Sequence, residues 1–139
     1  MTKLQKITLS ISVVLMMLAL TQKAYCFEDH CTYSIIDFLF GMFGIFIDGD
    51  ENWSWFANPL LIFAWGLVKH SRVSLMLRIL STLLALWLLM FDEAVINEAG
   101  HTAVIVSYAL GYWLWLGSHV VMVLGNAATV FNNRSRLQR

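Results

Sequence analysis

Apolar residues in this chain gather into long runs separated by short polar breaks. Ile7 to Leu20, Leu60 to Val68, Val73 to Phe91 and Ala103 to Phe131 hold Arg78 as their one charged residue. A membrane-crossing helix needs about 20 apolar residues, so the pattern predicts an all-α fold, a small transmembrane helical bundle. Three spans are expected, near residues 53–70, 73–91 and 103–125, preceded by an N-terminal signal peptide or membrane anchor. Four segments follow: 1–25 as that signal or anchor, 26–52 as an external acidic segment, 53–131 as the bundle and 132–139 as a basic tail.

Tyr33 to Ile47 is also apolar, yet Ser34, Asp37, Gly41, Gly44 and Asp48 recur there at helical intervals as one narrow small or polar stripe. Such a helix lies in the interface as an amphipathic element over the bundle rather than crossing it. Trp53, Trp55 and Phe56 then supply an aromatic belt at headgroup level. Asn58 is placed to cap the following helix, and Pro59 to open it, where a missing N–H has no helical partner to lose.

Charge sharpens this picture. Nine basic and nine acidic residues cancel to zero, but the signs are segregated along the chain. Lys3 and Lys6, then Lys69, Arg72 and Arg78, then Arg134, Arg136 and Arg139 form three basic groups; the acids fall between them, and Lys23 alone is out of place. Because Lys- and Arg-rich short loops stay in the cytoplasm, both the Lys69 loop and the C-terminus are expected inside and the acidic segments outside. Letting Tyr33 to Ile47 cross would reverse this. Composition agrees: 59% apolar and 13% charged residues, with a mean hydropathy of +0.69, leave too little polar surface to cover a soluble domain.

Two readings of the N-terminus stand side by side. Ala24-Tyr25-Cys26 places small residues where a signal peptidase cuts. Cleavage after Cys26 would strand Cys31 in an oxidising space, whereas a retained anchor lets Cys26 and Cys31 form a disulfide just outside the membrane.

On the last span, Ser107, Gly111, Ser118 and Gly125 project within about 40 degrees of one another, a small-residue face suited to close helix packing. Beside it, Tyr108, Tyr112, Trp115, His119 and Asn126 form an aromatic and polar stripe whose groups need hydrogen-bond partners in a dry interior. Arg78 and His119 fall at similar depths, about 20 and 24 Å along their helices from Phe91 and Ala103. An intramembrane polar cluster of Arg78, Ser81, Thr82, Ser118 and His119 is therefore expected, with His119 accepting from Arg78, as helix glue or as a proton or anion relay. Near the membrane edge the long Arg78 side chain would otherwise snorkel to the surface.

Ala57-Asn58-Pro59-Leu60-Leu61 with Ala64-Trp65, and Gly111-Tyr112-Trp113-Leu114-Trp115, resemble an uncharacterised group of small bacterial multi-span inner-membrane proteins. The resemblance implies a bacterial inner-membrane setting and transfers no functional residue.

Motifs for chemistry are sparse. Asp48, Asp50 and Asn52 begin like a calcium loop, but Trp53 stands where its turn glycine belongs. Glu98 and His101, with His30, Glu28 and Asp29, read as exposed loop residues, so no metal and no cofactor is assigned. No nucleophile elbow, phosphate loop or His-Glu-x-x-His occurs, and the basic residues are too few for nucleic acid. The expectation is a non-enzymatic protein whose partners are the lipid bilayer and a membrane protein or further copies of itself. An accessory or immunity-type subunit is preferred to a holin-like pore or transport element.

Overall fold

The computed structural model describes residues 1–44, 46, 50–97 and 99–137, with backbone alone from 133 onward. Asp48, Glu98 and Arg139, and the side chains of Arg134 and Arg136, lie outside the described residues.

Three helices are long and apolar enough to cross a membrane: Lys3–Leu20, Ser71–Met90 and Leu110–Asn132. The first is α1 (Lys3–Leu20), opened by a capping box in which Thr2 and Gln5 bond each other's backbone N–H. Its buried positions are Gln5, Thr8, Ser12, Met16 and Ala19, while Ile7, Ile11, Val14 and Met17 face outward. That arrangement is inverted relative to a soluble helix. The same inversion recurs on α4 (Ser71–Trp87), where Ser74, Arg78, Ser81 and Ala85 are buried and Met76, Ile79, Leu80 and Leu83 are exposed. Small and polar side chains inside with an apolar exterior is the pattern lipid favours, because close backbone contact replaces the hydrophobic effect between helices.

The expected span at 53–70 takes a different form. A 3-10 helix, Asp50–Phe56, leads into α3 (Ala57–Gly66). Alone, ten residues of α3 cover about 15 Å, half of a bilayer core; the 3-10 helix adds about 14 Å. Together they run antiparallel along all of α4, from the Trp87 Nε1–H donated to Asp50 O at one end to Ser74 Oγ donated to Ala64 O at the other. The cap of α3 is Phe56, without a side-chain bond, and not Asn58, whose amide oxygen is engaged elsewhere. Pro59 still falls in the first turn, where the N–H groups lack helical acceptors.

The final helix, α5 (Leu110–Leu137), begins seven residues later than expected from Ala103. The intervening apolar residues are extended instead. β3 (Glu93–Val95) and β4 (Thr102–Val104) form an antiparallel hairpin in the register Glu93↔Val104 and Val95↔Thr102. Its turn is held by Asn97, whose side-chain oxygen accepts from the N–H groups of Ala99 and His101, and by Gly100 at φ 78°, a conformation that favours glycine. A second sheet has the order β2-β1-β5: β1 (Lys23–Cys26) pairs antiparallel with β2 (Cys31–Tyr33) and with β5 (Ser107–Tyr108). Helix accounts for 71% of the structure, so the all-α expectation holds for the bundle and is corrected at its acidic end, where these two small sheets close the loops.

α1 lies antiparallel on α5. Ser12 Oγ donates to Ser118 O at 2.8 Å and accepts from Trp65 Nε1, while Gln5 Nε2 donates to Val68 O. The N-terminal helix is thus a full member of the bundle. One end of the molecule gathers Lys3, Lys6, Lys69 and Arg72; the other gathers the Cys26–Cys31 hairpin, α2 (Ser34–Gly44), the 3-10 helix and the β3-β4 hairpin.

Candidate functional site

The small-residue face of α5 packs on α1 and its following strand. A Cβ on Gly111 would run into Ser34 Oγ and lie 2.5 Å from Lys23 O, and one on Gly125 would run into the Thr8 side chain. Ser118 is wholly buried between them. Ser107 does not belong to this face: it sits in β5 opposite Cys26, because the chain is still extended there. Cys26 and Cys31 are joined by a disulfide across the β1-β2 register.

The neighbouring stripe turns toward α3 and α4, and each member has a partner. Tyr108 Oη donates to Leu88 O, Tyr112 Oη to Ala85 O, Trp115 Nε1 to Asn58 Oδ1 and Asn126 Nδ2 to Ser71 O. The segments 57–61 and 111–115 are therefore joined directly, through Trp115 and Asn58.

Deeper in the bundle, the expected polar cluster forms with different pairings. Arg78 is 1% exposed, so it does not snorkel. Its guanidinium donates from Nη2 to Ala64 O, in the last turn of α3, and from Nη1 to Met122 O. Carbonyls at a helix C-terminus lack helical donors and carry partial negative charge, which gives the cation a counter-field without a carboxylate. His119 pairs with Ser81 rather than with Arg78. Since the single Ser81 hydroxyl hydrogen is donated to Ala57 O, His119 Nδ1–H is the donor to Ser81 Oγ and Nε2 is left as an acceptor. Arg78 Nε, His119 Nε2 and Asn126 Oδ1 are buried without a partner. Thr82 donates back to Arg78 O and Ser118 to Trp115 O, each within its own helix.

A cavity of about 80 Å³ opens at the acidic end, between α1, α2, the 3-10 helix and α5. The α2 stripe faces it. Ser34, Asp37 and Gly41 line the wall, with Glu51 and Trp55 of the 3-10 helix opposite and Tyr112 and Trp115 below. Gly41 is required by the approach of Trp55, whose Cδ1 would lie 2.9 Å from a Cβ there. Tyr25 Oη donates to Asp37 Oδ1 at 3.2 Å. Burial pushes the Asp37 carboxyl up to about 7, partly opposed by that bond. The Tyr25 phenol is raised well above its ordinary value by burial and then by the charge of Asp37. Glu51 Oε1 accepts from Val95 N and Asn52 Nδ2, tying the β3-β4 hairpin to the cavity wall.

No family model, curated protein or solved structure matches this chain. Any functional reading therefore rests on the geometry itself. Among the described residues, no group of three or more His, Cys, Asp or Glu side chains comes together. The cavity went unread in the sequence, although its signal was present in the Ser34, Asp37 and Gly41 stripe. What the stripe faces depends on Glu51 and Trp55 folding back over α2, which helical periodicity does not encode.

Proposed function

We propose that the protein is a multi-pass inner-membrane protein of accessory or immunity type, non-enzymatic, with its basic end in the cytoplasm and its acidic end as the recognition surface. One observation carries this reading. The interior polar side chains, Ser12, Ser74, Arg78, Ser81 and Tyr112, donate into main-chain carbonyls of neighbouring helices, so the bundle is a closed scaffold rather than a lined conduit. Recognition then falls to the outer cap, where α2 presents Ile36, Leu39, Phe40 and Phe43 outward. Gentle-detergent pull-down of the full chain from native membranes, read by mass spectrometry, tests it. A stoichiometric membrane-protein partner supports the accessory role; a pure homo-oligomer that releases dye from vesicles contradicts it.

A transport element is the second reading, favoured by Arg78 Nε, His119 Nε2 and Asn126 Oδ1, which are buried and unpaired in the interior. Polar groups at that depth are costly and commonly mark ion or proton routes. A protonophore-free pH-jump assay in vesicles separates the two, since a closed scaffold moves no protons.

A further inference from the structure

The cavity at the acidic end has an unbalanced inventory of hydrogen-bonding groups. Its aromatic donors are already used: Tyr25 Oη on Asp37, Trp55 Nε1 on Phe38 O, Trp115 Nε1 on Asn58 and Tyr112 Oη on Ala85 O. Its unpaired buried atoms are both oxygens with acceptor capacity, Asp37 Oδ2 and Ser34 Oγ. Two carboxylates from different elements, Asp37 and Glu51, line the space, and among the described residues no Lys or Arg side chain lines it with them. Lys23 is exposed, and Arg78 is committed to Ala64 and Met122. Buried charge without a counter-ion is strongly disfavoured, so the wall is complementary to a cation that donates several hydrogen bonds.

The remaining lining narrows the class. Trp55, Tyr112 and Trp115 offer aromatic surface, which attracts organic cations. A hard metal ion is held mainly by several carboxylates, and among the described residues only Asp37 and Glu51 supply them here, with no group of three or more His, Cys, Asp or Glu side chains. The volume of about 80 Å³ suits a small cationic head. We propose that this cavity binds a primary ammonium group, carried by a lipid head group or by a free small amine, with Asp37 Oδ2 and Ser34 Oγ accepting its hydrogen bonds and Glu51 supplying the second negative charge. Placement beside the exposed aromatics Trp53 and Phe56 puts the site at headgroup depth. The inference is independent of whether the protein is an accessory subunit or a transport element.

Titration of the purified full chain with ethanolammonium chloride, in phosphatidylglycerol nanodiscs at pH 8, tests it by thermal unfolding and tryptophan fluorescence. Saturable stabilisation is expected with ethanolammonium and none with ethylene glycol or sodium. Asp37→Asn and Ser34→Ala should each raise the half-saturation concentration, the former at least tenfold, while Asp92→Asn at an exposed site leaves it unchanged. Nanodiscs containing phosphatidylethanolamine distinguish the source. If the head group is lipid-borne, the free amine loses its effect there and native mass spectrometry retains a bound phosphatidylethanolamine; if the ligand is a free amine, the effect persists. Absence of saturable stabilisation by ethanolammonium in phosphatidylglycerol overturns the proposal, as does a half-saturation concentration in Asp37→Asn equal to that of the parent.

Discussion

Glycine to alanine on one helix should give opposite signs at two positions, and the structure says why. At Gly111 the added methyl would lie 2.5 Å from Lys23 O and 2.9 Å from Lys23 C. These are main-chain atoms of β1, held by pairing to β2 and β5 and by the Ala109 N–H donated to Ala24 O. They cannot swing aside as a side chain can. Helix α5 must therefore separate from β1 by close to an ångström, and overpacking of this kind costs about 1–3 kcal/mol. Gly111 is in the first turn of α5, so the propensity gain of alanine, at most about 1 kcal/mol in a helix interior, offsets little. Gly117 lies further along the same helix, but the nearest neighbour of a Cβ there would be Leu15 Cδ1 at 3.9 Å, an ordinary contact. There the propensity gain stands almost alone, and Gly117→Ala should be neutral to stabilising by about 0.5–1 kcal/mol. Reversible unfolding in mild detergent, followed by circular dichroism, reads both. The reasoning fails if Gly111→Ala is as stable as the parent, or if Gly117→Ala is destabilised to the same degree.

Other perturbations probe other parts of the molecule. Cys26→Ser should cost about 2 kcal/mol from loss of the small closed loop, and alkylation of the parent without reductant should leave both cysteines unmodified; full modification refutes the bridge. The unfolded chain loses the Asp37 proton near the ordinary 3.8 and the folded chain near 7, so the folded state holds more protons in that window and stability falls as pH rises through it. With Tyr25, Glu51 and Tyr112 the ionisable groups lining the cavity beside it among the described residues, Asp37→Asn should raise the unfolding temperature at pH 8 and leave it unchanged at pH 4; equal shifts at both would show that burial of the charge is not the cause. Ser81→Ala leaves His119 Nδ1–H unpaired, a loss of about 1–3 kcal/mol that should come without proton leakage in vesicles if the cluster is structural.

The parts of the fold legible in the sequence are those that depend on hydropathy and charge alone. Val73 to Phe91 matches Ser71–Met90 closely, because one apolar run interrupted only by Arg78 and bounded by Arg72 and Asp92 leaves little freedom. The start of α5 was misplaced, since Ala103 to Tyr108 is as apolar as a helix yet rich in β-branched and aromatic residues that also suit strands. The N-terminal helix carried a stronger signal than was read from it. A Thr-x-x-Gln capping box whose Gln5 shares one face with Thr8 and Ser12 is a packing stripe, whereas the apolar core of a signal peptide needs none. For Arg78 the depth was readable and the partner was not, because partner choice depends on where the short α3 ends.

The account stands most directly on α1 being a packed helix of the bundle. A fluorescent protein that matures only in the cytoplasm, fused before Met1, with an affinity tag after Arg139, tests this in membranes. One intact fluorescent band carrying both tags is the predicted result. Separation of the fluorescent protein from the tagged chain, with a mature N-terminus at Phe27, would contradict it.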